Sequence, residues 1–216
     1  MEIGFMQNQP DERVLYLSAE INNDSVGDIC KQILAFNEAD RKGMEKFRNY
    51  AINPIELHVQ SFGGSVYDMW ALIDIIEASN TPIITYCNGY CMSAAAFIFL
   101  AGHIRCMYKH STIMLHQMSC WNVGKINDLV IEQKQLDEMH KIGIKYIKKH
   151  TKLGKDFFKK YDSNKEDIYF DAKKALKAGI CDQIVERTSW REVLLEQLEE
   201  EQEKDKDSFG GIVDDE

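Results

Sequence analysis

The chain has 216 residues, of which 44% are hydrophobic and 28% charged, with 3 Pro, 13 Gly and a formal net charge of −9. That apolar share offsets the ordering entropy of a folded body and excludes a collagenous, low-complexity or wholly disordered chain, while the length fits one domain with an appendage. The charge is uneven: residues 191–216 hold eleven acids against three bases, so the remainder is nearly neutral and offers no basic footprint for nucleic acid or anionic lipid.

Residues 1–12 form a short N-terminal segment without a basic region followed by an apolar core, so no secretory signal is expected. Residues 13–17 read as a strand. Val26, Ile29, Cys30, Ile33 and Leu34 then give helical spacing over 25–37, and a polar stretch, 37–53, is expected to connect to a second strand at 55–60. The turn Ser61-Phe62-Gly63-Gly64-Ser65 leads into a helix whose Val66, Met69, Trp70, Ile73 and Ile76 share one face. The pattern repeats with a strand at 82–87, a turn at Asn88-Gly89-Tyr90 and a helix over 93–101. Strands at 104–108 and 112–115 precede a long polar-faced helix over 125–150. The last residues, 191–216, begin as an amphipathic helix with Leu194, Leu195 and Leu198, and are expected to fray after about Glu203. Consecutive strand and helix units predict an α/β architecture with helices covering a largely parallel sheet. The longest mostly apolar stretch, 92–101, falls far short of the roughly 20 residues that cross a bilayer, so no membrane association is expected.

The six cysteines are scattered, mostly within apolar runs and without a CxxC pair, and read as small core residues. Cys87, Cys91, His103 and Cys106 make a zinc site only on paper, because their spacings do not match closely paired ligands; no metal or cofactor is expected. The glycine turns place backbone N–H groups at helix starts, which suits an anion or an oxyanion as well as plain turn chemistry. Neither GxxxxGK[ST] nor GxGxxG is present, so a phosphate loop is the weaker use. Ser93, at the start of the second of these helices, reads first as an N-cap. It is also placed for a nucleophile, with the Ala94 N–H beside it. His116 ends the apolar strand Thr112-Ile113-Met114-Leu115, where a sheet would fix the ring of a general base. His110, His140 and His150 lie in polar or basic surroundings and look superficial, whereas His58 and His103 are open. The carboxylate that would orient such a base is not selected by this reasoning, which leaves Asp162, Glu166, Asp167 and Asp171.

The segments 89–97 (Gly89 to Phe97), Met114-Leu115-His116-Gln117 and Ser61-Phe62-Gly63-Gly64-Ser65 stand in the order and spacing of the Clp protease proteolytic subunit (ClpP-like) serine peptidase family, and the chain resembles that family over residues 13–186. The resemblance takes in Ile21-Asn22 and the late stretch from Asp167 to Ala172 that leads into 175–182. It implies a ClpP/crotonase-type repeated ββα superhelical fold with a protruding long helix, here as a peptidase domain over 13–190. It implies a catalytic Ser93, His116 and Asp167, oxyanion donors at Gly63 and Ala94, and substrate contacts at Gly64, Met118 and Trp121. The implied activity is that of a cytoplasmic serine endopeptidase cleaving unfolded polypeptides inside a homo-oligomer, a heptameric ring or two stacked rings. ATP dependence enters only through an AAA+ unfoldase partner. Phe62 replaces the family's proline, Glu166 stands where an arginine often pairs across rings, and Glu56 and His58 replace strand aromatics of the unfoldase docking pocket. The alternatives are a catalytically weak scaffold or ring-modulating subunit, and a crotonase-type thioester enzyme.

Overall fold

A computed structural model describes residues 13–119, 123–163 and 167–185. The N-terminal segment 1–12, Trp121, Glu166 and the acidic tail from 191 lie outside the described residues. Strand β1 (Val14–Leu17) leads to helix α1 (Asn23–Lys46), which opens on a capping box: Asn22 Oδ1 accepts from the Asp24 and Ser25 N–H groups, and Asn22 N–H donates to Ser25 Oγ at 3.1 Å. Val26, Ile29 and Ile33 bury its apolar face.

The helix runs nine residues past the expected end at Asn37, through what the sequence presents as a polar connection. The cause is tertiary. Asp40 is buried in mid-helix, where it accepts from Arg13 at 2.7 Å, from Tyr50 at 2.7 Å and from the Thr81 hydroxyl. On the exposed side Arg41 pairs with Glu38 and Glu45.

Next come β2 (Ile55–Ser61), α2 (Val66–Glu77), β3 (Ile83–Met92), α3 (Ala94–Leu100), β4 (Ile104–Tyr108) and β5 (Thr112–Leu115). The chain closes with α4 (Ile126–His150), α5 (Lys155–Ser163), β6 (Ile168–Asp171), α6 (Ala172–Lys177) and β7 (Gln183–Val185). The sheet runs β1-β2-β3-β4-β7 with every neighbour parallel, in the register Leu15, Leu57, Thr85, Arg105 across the first four strands. This is the expected mixed α/β, parallel-dominated architecture.

The expected turn at 88–90 is not a turn. Strand β3 continues through it for ten residues. Its first half pairs with β4, and after Gly89, at φ 79°, residues Tyr90 to Met92 pair with β5 instead. Gly89 is therefore the point where the strand changes partner, and α3 follows β3 with only Ser93 between them. Of the two expected glycine turns, only the one at Gly63-Gly64 opens a helix.

The core lies under one face of the sheet, where Leu15, Leu17, Leu57, Val59, Ile83 and Cys87 meet the helices. On the opposite face, among the described residues, an aromatic row is partly exposed. There Tyr16, His58 and Tyr86 stack in a row across β1, β2 and β3, with centroids 5.1 and 4.6 Å apart, and Tyr16 is 65% exposed. Helix α4 buries only His140, Gly143, Tyr146 and Ile147, all in its second half. Ile126 and Ile131 stand exposed in the first half. No helix among the described residues is long and apolar enough to cross a membrane.

Candidate active site

Two strand-to-helix junctions and one strand end build the site. At the first, between β2 and α2, Gly63 and Gly64 have φ of 109° and 150°, a region that a side chain disfavours. The preceding segment clamps the turn: Ile21 N–H donates to Gly63 O at 2.9 Å, and Ser65 N–H donates to Ile21 O at 2.7 Å. Ser65 then caps α2 by accepting from the Asp68 N–H. At the second junction Ser93 is the only described non-glycine residue with positive φ, 53°. Its side chain makes no capping bond to α3, contrary to the N-cap reading. Its own N–H donates to Met114 O at 3.0 Å, which ties the junction to β5. The two junctions touch: a Cβ on Gly63 would lie 2.7 Å from Ser93 Cβ and 3.1 Å from Ala94 N. Only glycine fits there.

Freed from capping, Ser93 Oγ lies 2.7 Å from His116 Nε2. His116 immediately follows β5, and antiparallel β6 pairs Leu115 with Ile168. Continuing that register by one step sets His116 opposite Asp167, and the His116 Nδ1 to Asp167 Oδ1 distance is 3.7 Å. This is an ion-pair separation rather than a hydrogen bond. Asp167 also accepts from the Tyr169 hydroxyl at 3.4 Å.

The described alternatives are committed elsewhere. Asp171, at the far end of β6, caps α6 by accepting from the Lys174 N–H at 2.8 Å, and that bond holds its carboxyl below the usual range. Asp162 lies 3.5 Å from His140.

The Gly63 N–H, expected as an oxyanion donor, donates at 3.1 Å to the buried Ser61 Oγ in this conformation. The neighbouring Ala94 N–H begins α3 directly beside Ser93. A cavity of about 210 Å³ opens at Ser93 and His116 and is lined by Val66, Met69, Phe97 and Met118, with Gly64 at its rim. Gly64, Val66 and Ser119 also line a larger cavity of about 520 Å³ that reaches Ile131, Leu136 and Met139 of α4. Of the expected substrate contacts, Gly64 and Met118 therefore lie at the site. Val66 and Phe97 as cavity walls, and Ser61 as the acceptor of the Gly63 N–H, are not singled out by the sequence, although Ser61 stands inside the glycine-turn motif.

Of the other histidines, His110 is exposed as expected and the remaining four serve structure. His103 Nδ1 accepts from the Ile83 N–H at 3.0 Å, and His58 lies in the aromatic row. His140 and His150 are not superficial. His140 is buried against the Tyr161 ring, and His150 stacks on Tyr146, where burial, aided by Lys149, lowers its pKa. No group of three or more His, Cys, Asp or Glu side chains among the described residues is arranged to hold a metal, so the paper zinc site is not assembled. The five described cysteines are free.

A serine held at positive φ between a parallel strand and a helix, with its hydroxyl on an imidazole, is a serine-hydrolase arrangement carried by an α/β fold. The sequence matches the model of the Clp protease family over residues 3–188. It is 30% identical over 178 residues to the ATP-dependent Clp protease proteolytic subunit 4 of Rhodococcus jostii (strain RHA1), covering 81% of this chain and 85% of that protein. It is 27% identical over 177 residues to the proteolytic subunit 2 of Corynebacterium jeikeium (strain K411), covering 81% and 79%. The chain belongs to the Clp protease family.

Proposed function

We propose that this chain is a serine endopeptidase that hydrolyses unfolded polypeptides through an acyl-enzyme, with Ser93 as nucleophile. The observation that carries this is the 2.7 Å contact between Ser93 Oγ and His116 Nε2 at a helix start that the serine does not cap. His116 takes the hydroxyl proton as Ser93 Oγ bonds to the peptide carbonyl carbon, then delivers it to the leaving amine. Asp167 holds the imidazole by its Nδ1 side once the 3.7 Å gap closes. The Ala94 N–H meets the developing oxyanion, and the Gly63 N–H joins it when Ser61 Oγ releases it. Water then cleaves the acyl ester by the same route in reverse. The cavity at Ser93, walled on one side by Val66, Met69, Phe97 and Met118, takes the side chain preceding the scissile bond, and the space toward α4 takes more of the polypeptide.

The relatives are named as ATP-dependent proteolytic subunits. In this reading the chain forms a homo-oligomeric ring, single or stacked, in the cytoplasm. An AAA+ unfoldase delivers its substrate and hydrolyses the ATP. A crotonase-type thioester enzyme would not need the Ser93–His116 contact, so the site favours the peptidase. Labelling with a fluorophosphonate, read by intact mass, tests the nucleophile: wild type gains one adduct at Ser93 and Ser93→Ala gains none. An unlabelled wild-type ring contradicts the reading.

A further inference from the structure

We infer that Gly143, a residue of α4 that touches no reacting atom, sets the size of side chain accepted beside Ser93, acting through Met118. The inference rests on the peptidase reading. The cavity at Ser93 has apolar walls from α2, from α3 and from Met118. On its far side Met118 lies against the bare backbone of α4: a Cβ on Gly143 would come within 2.8 Å of Met118 Cε and 3.3 Å of Phe97 Cε1. The first contact is closer than packed carbon atoms tolerate and the second is tighter than most, so an added methyl group must displace Met118 and press on Phe97.

Phe97 is the fixed one. It is 3% exposed and held in an aromatic cluster, with ring centroids 6.2 Å from Trp70 and 6.1 Å from Tyr146. Met118 is unbranched, lies beyond the end of β5 and is only partly buried, so its thioether arm yields first. With α4 behind it and Phe97 beside it, the cavity that Met118 lines is a direction open to it. Gly143 sits on the buried face of α4, where glycine costs a helix about 1 kcal/mol relative to alanine, and it gives Met118 room to withdraw. The cavity of about 210 Å³ then holds a side chain of leucine or phenylalanine size.

The test measures labelling rates of Ser93 in the full-length chain by peptidyl diphenylphosphonates whose terminal residue carries a benzyl, isobutyl or methyl side chain, read by intact mass. One methylene in an apolar pocket is worth roughly tenfold or more in discrimination. Gly143→Ala should therefore lower the benzyl-to-methyl rate ratio by about tenfold, and adding Met118→Ala to it should restore the ratio. Met118→Ala alone should raise the ratio, and this arm carries the test if Gly143→Ala melts early. The assignment is overturned by an unchanged ratio in Gly143→Ala, by equal slowing with all three probes, or by a lowered ratio that persists in the double variant. If wild type is labelled at Ser93 but without regard to side-chain size, only the role of Gly143 falls. If neither these probes nor a small fluorophosphonate labels wild type, the peptidase reading falls and takes this inference with it.

Discussion

Ser65 and Ser93 occupy the same kind of place, the residue immediately before a helix that follows a parallel strand, and are put to opposite uses. Ser65 has φ −59° and spends its hydroxyl on the Asp68 N–H, stabilising α2. Ser93 has φ 53°, leaves α3 without a side-chain cap and presents its hydroxyl to His116. One helix start is locally satisfied. The other carries backbone strain of the order of 1–3 kcal/mol that the surrounding packing must offset, which is how a reactive site is commonly held. Asp171 and Asp167 repeat the contrast at the two ends of β6: one carboxylate caps α6, and the other faces the imidazole.

If that division holds, substitutions at paired positions should separate turnover from stability. The largest effect is expected for Ser93→Ala, which should lose at least about a thousandfold in cleavage of a fluorogenic peptide. Its melting temperature should stay close to wild type, because no cap is removed. Retained turnover in the pure variant would end the nucleophile assignment. Gly63→Ala comes next. Its methyl group would press on Ser93 and the Ala94 N–H from a disfavoured φ, so turnover should fall by about a hundredfold, the scale of a lost oxyanion donor.

Asp167→Asn should reduce kcat by between about tenfold and a hundredfold, at or below the low end of general acid–base effects, since the carboxylate is 45% exposed and 3.7 Å from the ring. Asp171→Asn keeps a good cap and should leave kcat unaltered. Steady-state kinetics on the two variants side by side would reverse the assignment if Asp171→Asn proved the slower. The smallest effect belongs to Ser65→Ala, which should cost about 1 kcal/mol, or about 3 °C in melting temperature by calorimetry. A large loss of turnover there, without a shift in melting, would mean that both serines serve the chemistry.

Elements with clear local periodicity were legible in the sequence. Strands β4 and β5 have the expected bounds, and α4 begins one residue from its expected start. The misjudged parts depend on contacts between distant residues. Helix α1 passes Asn37 because Asp40 finds Arg13, 27 positions away, and a polar run gives no sign of that pairing. Gly89 reads as a turn residue, yet the strand uses it to exchange β4 for β5. His140 looks exposed until the Tyr161 ring of α5 covers it. At the site, position alone reads Ser93 first as an N-cap and leaves His58 and His103 open beside His116, whereas placing Asp167 rather than another acid opposite that imidazole needs either family resemblance or the β5–β6 register, which a one-dimensional pattern does not contain.

The buried ion pair of Arg13 and Asp40 gives the molecule a built-in acid limit that is separate from the titration of its chemistry. Burial by itself would raise the Asp40 carboxyl, but hydrogen bonds from Arg13, Thr81 and Tyr50 outweigh it and hold the pKa below the ordinary value. A carboxyl with a lower pKa in the folded chain adds stability above its unfolded value, about 4, and loses that contribution as pH falls through the lowered value. Arg13 precedes β1, and that strand leads to the Ile21 clamp on the Gly63-Gly64 turn. Proton uptake at Asp40 should therefore loosen the edge of the sheet first. Hydrogen exchange at pH 3 should show the amides of β1 and the late turns of α1 opening ahead of β3.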